Sequence, residues 1–203
     1  MYKLDNFYSK KAKQEGYAAR SVFKLEEIQD KFHLIDRNTK IVLDIGCAPG
    51  SRIQYTTAQL MKLRVKEYQV IGFDINTKHV NIKLPWVFIY EQDVTQQEQV
   101  NQILTSHQIY PEKVDFIQSD MAPNTIGHKE ADAMRSIGLL EETLWVYETY
   151  LKPTGRFCTK IFMGPGFDEY VLGMKKKYGG KNIKVFKPKS SRKESKETFI
   201  IKI

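Results

Sequence analysis

The stretch Lys40-Ile41-Val42-Leu43-Asp44-Ile45-Gly46-Cys47-Ala48-Pro49-Gly50 decides the fold. Residues 41–45 are β-branched or apolar apart from one acid near the end, the pattern of a strand buried within a sheet. Two glycines four positions apart then mark a turn. Ile53, Thr57, Leu60 and Met61 follow at helical spacing. Strand, glycine turn and helix in that order open a unit of parallel sheet.

The alternation continues along the chain. Strands are predicted at 40–45, 69–74, 86–92, 114–119, 156–162, 182–186 and 198–203. Amphipathic stripes lie between and ahead of them: Val22, Leu25, Ile28 and Phe32; Val100, Ile103, Leu104 and His107; Met134, Ile137, Leu140, Leu144 and Tyr147; Phe167, Tyr170, Val171, Met174 and Tyr178. Thr95 with Glu98 three residues later predicts a capping box at the start of the second of these helices. About eleven residues separate the sixth strand from the seventh, too few for a helical crossover. The last strand is therefore expected to run antiparallel on an otherwise mostly parallel, seven-stranded sheet with helices on both faces, an α/β class.

Size and composition bound the rest. At 203 residues, 41% hydrophobic and 28% charged, the chain reads as one globular domain over 1–203, with a basic helical segment (1–35) ahead of the α/β core (36–203). No apolar run approaches the roughly 20 residues that span a bilayer, and residues 1–5 lack the apolar core of a secretory signal. Cys47 and Cys158 cannot build a disulfide framework. His33, His79, His107 and His128 are scattered, so no metal centre is expected. The expectation is an intracellular monomer: cytoplasmic in a bacterium; mitochondrial, nucleolar or cytosolic in a eukaryote.

The net charge of +8 is unevenly placed. Residues 1–24 hold 6 basic and 2 acidic side chains, residues 174–203 hold 11 and 2, and the middle holds 15 and 20. Should the two cationic ends converge, they make a face for phosphate. Lys10, Lys11, Lys13 and Arg20, interleaved with Tyr8, Tyr17 and Phe23, and Lys187, Lys189, Arg192 and Lys193 are the candidates to grip RNA.

Ligands of open α/β sheets sit at the carboxyl ends of the strands. Those ends carry Asp44, Asp74, Asp93, Asp120 and Lys160, and an antiparallel last strand adds Glu197. Any one acid alone is an ordinary turn or cap residue; their common rim is what points to a site. The loop from Gly46 to Gly50 is neither G-x-G-x-x-G nor a P-loop, and Pro49 removes an N–H that could hold phosphate. A nucleoside cofactor without pyrophosphate, such as S-adenosylmethionine, needs close approach at the glycines, an acid for the ribose hydroxyls (Asp74) and an acceptor for the adenine amine (Asp93). The 24-residue step from Gly50 to Asp74 also suits NAD, and spacing leaves both open.

At these residues the chain resembles the FtsJ/RrmJ family of S-adenosylmethionine-dependent RNA 2′-O-ribose methyltransferases, which share a Rossmann-like fold. The resemblance lies in Arg20-Ser21-Val22-Phe23-Lys24-Leu25-Glu26-Glu27-Ile28, in 43–50, in Ser119-Asp120-Met121-Ala122-Pro123-Asn124, in Lys160, in Gly166-Phe167-Asp168-Glu169-Tyr170, and in 187–197. It implies a catalytic tetrad of Lys24, Asp120, Lys160 and Glu197, and cofactor binding by Asp44, Gly46, Gly50, Asp74, Asp93 and Asp120. The family usually has Gly-Gly-Trp where this chain has Gly50-Ser51-Arg52, and Arg52 is expected at the cofactor carboxylate. The family usually has Pro-Gly-Gly where Pro153-Thr154-Gly155 stands. The implied substrate is a uridine of large-subunit ribosomal RNA, with the tRNA anticodon loop as the alternative. A catalytically silent RNA-binding ribosome-assembly factor and a nicotinamide-dependent oxidoreductase are the competing classes.

Overall fold

The computed structural model describes residues 2–192 and 194–203, with side chains from residue 7 onward. Helices α1 (Tyr2–Gln14) and α2 (Val22–Phe32) precede strand β1 (Ile41–Ile45). There follow α3 (Ser51–Lys62), β2 (Gln69–Asp74), β3 (Val87–Glu91), α4 (Gln97–Ser106), β4 (Val114–Ser119), α5 (Lys129–Tyr150), β5 (Leu151–Phe162), α6 (Phe167–Tyr178), β6 (Ile183–Phe186) and β7 (Glu197–Lys202). All seven expected strands form. The largest difference is β5, which starts five residues early at Leu151; its pairing with β4 shifts register between Val114 and Phe116, so the Pro153-Thr154-Gly155 turn is absorbed as an irregularity within the strand.

The strands lie in the order β3-β2-β1-β4-β5-β7-β6. β1 pairs in parallel with β2 and β4, β2 with β3, and β4 with β5. β7 slots between β5 and β6 and runs antiparallel to both, as the short connection demands. The chain builds outward from β1 to β3 and then restarts at β4 on the other side of β1. The crevice outside β1 and β4 is thus the point where strand order reverses.

Each sheet face covers its own core. Leu43, Ile45, Phe73, Ile117, Phe157 and Ile200 face α4, α5 and α6. Val42, Val70, Phe116, Cys158, Phe199 and Ile201 face α1, α2 and α3. Period-2 alternation of the strand side chains sorts the two sets. The basic N-terminal segment is part of this packing: Val22, Phe23, Leu25 and Ile28 of α2 are buried against the second face.

The capping box does not form. Helix α4 begins at Gln97, with Gln96 at the cap position making no side-chain bond. Thr95 donates both its N–H and its hydroxyl to Asp93 Oδ1, at 2.9 and 2.8 Å. The Asp carboxylate closes this turn two residues away and takes the hydroxyl that the cap required. Among the described residues no helix is long and apolar enough to cross a membrane.

Phe157 is fully buried, with its ring edge-on to Tyr147 (5.3 Å) and Tyr178 (5.5 Å). Phe157→Ala is expected to cost about 3–5 kcal/mol, read as a lower urea midpoint at unchanged slope.

Candidate active site

On the face covered by α2 and α3, the strands turn from apolar to polar as they approach their upper ends. Val42 is followed two residues on by Asp44, Phe116 by Gln118 and then Asp120, and Cys158 by Lys160; β7, running the other way, starts with Glu197 before Phe199 and Ile201. Alternation puts these polar side chains on one face, above the apolar floor. Lys24 from α2 and Arg52 from the first turn of α3 enter from the covering helices.

These groups form one cluster of two hydrogen-bonded sets, which neighbour each other through the charges of Glu197, Lys24, Lys160 and Arg52. Lys24 Nζ lies 2.7 and 2.8 Å from the two Glu197 oxygens, closing a separation of 173 residues. The Ser191 hydroxyl donates to Glu197 Oε1 at 3.1 Å. Lys160 Nζ is 2.9 Å from Asp120 Oδ1 and 2.5 Å from the Asp120 carbonyl oxygen. Arg52 Nη1 meets Asp120 Oδ2 at 3.0 Å, while Nη2 donates to Asp44 Oδ1 at 2.5 Å and to the Gly46 carbonyl at 2.6 Å. Gln118 Nε2 donates to the other Asp44 oxygen at 2.9 Å, and Thr56 of α3 donates to Gln118 at 2.9 Å.

Burial sets the electrostatics. Lys160 is 7% exposed; desolvation, with the nearby charges of Lys24 and Arg52, pushes its pKa down to about 7 against the opposing pull of Glu197. Desolvation also lowers Lys24, and Arg52 and Arg20 add to this, while Glu197 pulls the other way. Burial pushes Glu197 up, but Lys24, Lys160 and the Ser191 hydroxyl outweigh it and hold the carboxyl below its ordinary range. Asp44, with no exposed surface, is raised by desolvation, and Arg52 and Gln118 oppose that rise. The two thiols are buried and inert: desolvation pushes Cys158 up to about 12 and Cys47 up as well.

The loop after β1 has spent its amides internally. Gly46 and Cys47 donate to the Phe73 carbonyl, Ala48 to Asp74 Oδ2, and Gly50 to the Cys47 carbonyl; Pro49 has no N–H. Nothing in 46–50 remains to cradle a pyrophosphate, which disfavours NAD. Gly50 has φ 103°, and a Cβ there would stand 2.3 Å from Ile82 Cδ1, so the β2–β3 connection rides directly on its backbone. The rim is rich in acceptors, with Asp74, Asp93 and the Gly46 and Asp120 carbonyls at the strand ends. That acceptor set suits a sulfonium, an ammonium and ribose hydroxyls.

The comparisons agree with this geometry. The model of the FtsJ-like methyltransferase family matches residues 17–203. The chain belongs to that family. A ribosomal RNA large subunit methyltransferase E from Desulfatibacillum aliphaticivorans is 40% identical over 96% of this chain and 87% of the relative. Another from Pelagibacter ubique is 38% identical over 97% and 90%. A crystal structure described as a ribosomal RNA methyltransferase from Plasmodium falciparum superposes with TM-score 0.68 at 26% identity, covering 92% of this chain and 97% of that one. The family match establishes a methyltransferase, carried here on a mostly parallel sheet with helices on both faces.

Of the residues expected at the site of this FtsJ-like methyltransferase, Lys24, Asp120, Lys160 and Glu197 meet in one cluster with Asp44 and Arg52. Asp74 joins through Ala48. Asp93 is exposed beyond β3 and holds Thr95. Arg52 is turned inward, because the buried Asp44 needs a counter-charge. The strand rim does not by itself place Lys24, which comes from a helix. Gln118 and Thr56 carry no motif, though Gln118 sits two residues before Asp120 on the same strand face, a placement that period 2 makes legible.

The cationic ends converge. Glu27 accepts the N–H groups of Lys189 (2.6 Å) and Ser190 (2.8 Å), and Arg20 donates to the Ser190 carbonyl at 3.1 Å. Phe32 packs on Phe186, with the Lys31 ammonium 4.3 Å from that ring. Lys10, Lys13, Lys187, Lys189 and Arg192 are exposed, and Lys187 also donates to the Ser195 carbonyl. Lys11 is half-buried over the Phe23 ring. Lys193 lies outside the described residues. Glu27→Ala removes both acceptors that hold this loop, and amide exchange at Lys189 and Ser190 is expected to accelerate about tenfold or more.

Proposed function

We propose that this chain transfers a methyl group to a ribose 2′-hydroxyl in RNA, a uridine of large-subunit ribosomal RNA, with Lys24, Asp120, Lys160 and Glu197 at the reacting sugar. The observation that carries the reading is the Lys160 amine, buried, fixed by Asp120 and set at the strand edge beside the glycine loop. The names of the relatives at 40% and 38% identity support ribosomal RNA over tRNA.

S-adenosylmethionine supplies an electrophilic methyl when bound, so the protein has to align the hydroxyl and remove one proton. Gly46, Gly50, Asp74, Asp93 and Asp120 would hold the cofactor, with Asp44 acting from beneath through Arg52. A ribose hydroxyl is a weak nucleophile, and a base within about 3 Å takes its proton as the new bond forms. With a pKa of about 7, about half of Lys160 is the free amine at neutral pH and can accept that proton. Asp120 aims it, through Oδ1 and the main-chain oxygen. The Lys24–Glu197 pair stands on the other flank, anchoring the sugar by hydrogen bonds from the lysine. Phosphates on either side of the sugar lie against Lys10, Lys11, Lys13 and Arg20 at one end and Lys187, Lys189, Arg192 and Lys193 at the other.

Lys160→Ala is expected to abolish methyl transfer while the affinity for S-adenosylmethionine, by calorimetry, stays within about twofold. The proton must leave Lys160 before it can act, so single-turnover rates should fall about tenfold per unit as pH drops below about 7 and level off above it. RNA affinity should weaken steeply with added salt, each Lys→Ala among Lys10, Lys187 and Lys189 reducing the log–log slope by about 0.7–0.9. Nucleotide-resolution mapping of 2′-O-methyl sites in a deletion strain tests the substrate; loss of one large-subunit uridine methyl is the expected result.

A further inference from the structure

Arg52 occupies an unusual place in this cluster. Its side chain is 6% exposed, yet it comes from the second residue of α3, beside the loop that faces the cofactor. Its two terminal nitrogens point to different carboxylates. Nη2 serves Asp44, which has no exposed surface, and Nη1 serves Asp120. Asp120 is thereby divided: one oxygen is on Arg52 and the other on Lys160.

We propose that Arg52 is a positioning residue for methyl transfer, its fork pinning Asp120 in the orientation that aims Lys160 and taking up enough of that carboxylate's charge for the amine to exchange its proton. The inference rests on the reading of Lys160 as the proton acceptor. Its basis is geometric. A carboxylate with a single cationic partner binds that partner as a tight ion pair, and an ammonium so held gives up its proton poorly. A guanidinium is charged at every working pH and binds carboxylates in a rigid fork, so it is suited to hold two acids at fixed angles.

The charged groups around Lys160 come from each neighbouring element: Asp120 at the end of β4, Glu197 on β7, Lys24 on α2 and Arg52 on α3, with Asp44 of β1 behind Arg52. Without Arg52, three carboxylates face two lysines. Asp120 then falls wholly to Lys160, whose proton is held more firmly. The repulsion between Arg52 and Lys160 that favours the free amine is lost at the same time.

Arg52→Gln, and Arg52→Gln combined with Asp44→Asn so that no buried charge is left alone, are to be compared with Arg52→Lys and with Lys160→Met. Single-turnover methyl transfer is followed from pH 6 to 10, and S-adenosylmethionine affinity is measured by calorimetry. For both Gln variants the midpoint of the rate profile should rise by about one pH unit, with the single-turnover rate at pH 7 down about fivefold and recovered at pH 9. The cofactor Kd and the KM for RNA should stay within about threefold. Arg52→Lys keeps a cation without the fork and should lose about threefold in kcat with a smaller shift. Should the single Gln variant fail to fold, the charge-balanced double variant and Arg52→Lys carry the same readouts. An unmoved midpoint with a cofactor Kd raised tenfold or more would place Arg52 on the cofactor carboxylate and overturn the inference, as would a wild-type profile. Full turnover by Lys160→Met sinks the underlying reading itself; an inactive Lys160→Met beside an unshifted Arg52→Gln sinks the role of Arg52 alone.

Discussion

The site depends on three carboxylates, each held against a basic side chain under a helical cover. Asp44, Asp120 and Glu197 stand on one sheet face at positions where burial alone would drive them toward their neutral forms. Arg52, Lys160 and Lys24 meet them at 2.5–3.0 Å. Such an arrangement contributes little net stability, because desolvation of each ion offsets much of the attraction. What it does is specify positions. Removing one member leaves an uncompensated charge, so each side chain is held where its partner is, Lys160 among them.

Much of the fold was legible in the sequence because α/β proteins write their elements locally. The apolar run at 41–45, the glycines after it and the helical stripes each have their own period, and all seven strands follow from them. The short basic link before 197 dictated the antiparallel last strand through chain geometry. The acids on the rim were legible for the same reason, since each closes a strand. The roles of Lys24 and Arg52 were not, because a lysine or arginine on a helix looks the same whether it faces solvent or a buried carboxylate. Arg52 was expected at the cofactor carboxylate, and what the sequence did not show is its engagement with the buried Asp44 beneath it. Thr95 was similarly ambiguous: its hydroxyl had two local acceptors to choose from, and the nearer carboxylate took it.

The glycine loop shows how discrimination between cofactors can rest on groups that are already engaged. Its distance from Asp74 fits a dinucleotide as well as S-adenosylmethionine. The difference lies in where the amides point, toward Phe73, Asp74 and Cys47 and not toward a ligand. What the rim then offers is mostly carboxylate and carbonyl oxygen, which attracts a sulfonium and repels a phosphate. The net positive charge of this protein sits at the chain ends, brought together by Glu27 and Arg20, so the strand rim and the chain ends present surfaces of opposite sign.

The pairing of Lys24 with Glu197 also has a temporal meaning. Synthesis proceeds from the N-terminus, and β1 through β5 can assemble as soon as they emerge. A growing polypeptide that has reached β6 already owns the cofactor loop and Lys160, yet β6 has no neighbour to bond to and Lys24 has no carboxylate. Both deficits are cured by the same six residues, because β7 fills the gap in the sheet and delivers Glu197 in one step. A half-made copy is therefore barred from closing the Lys24–Glu197 pair until translation has passed through β7.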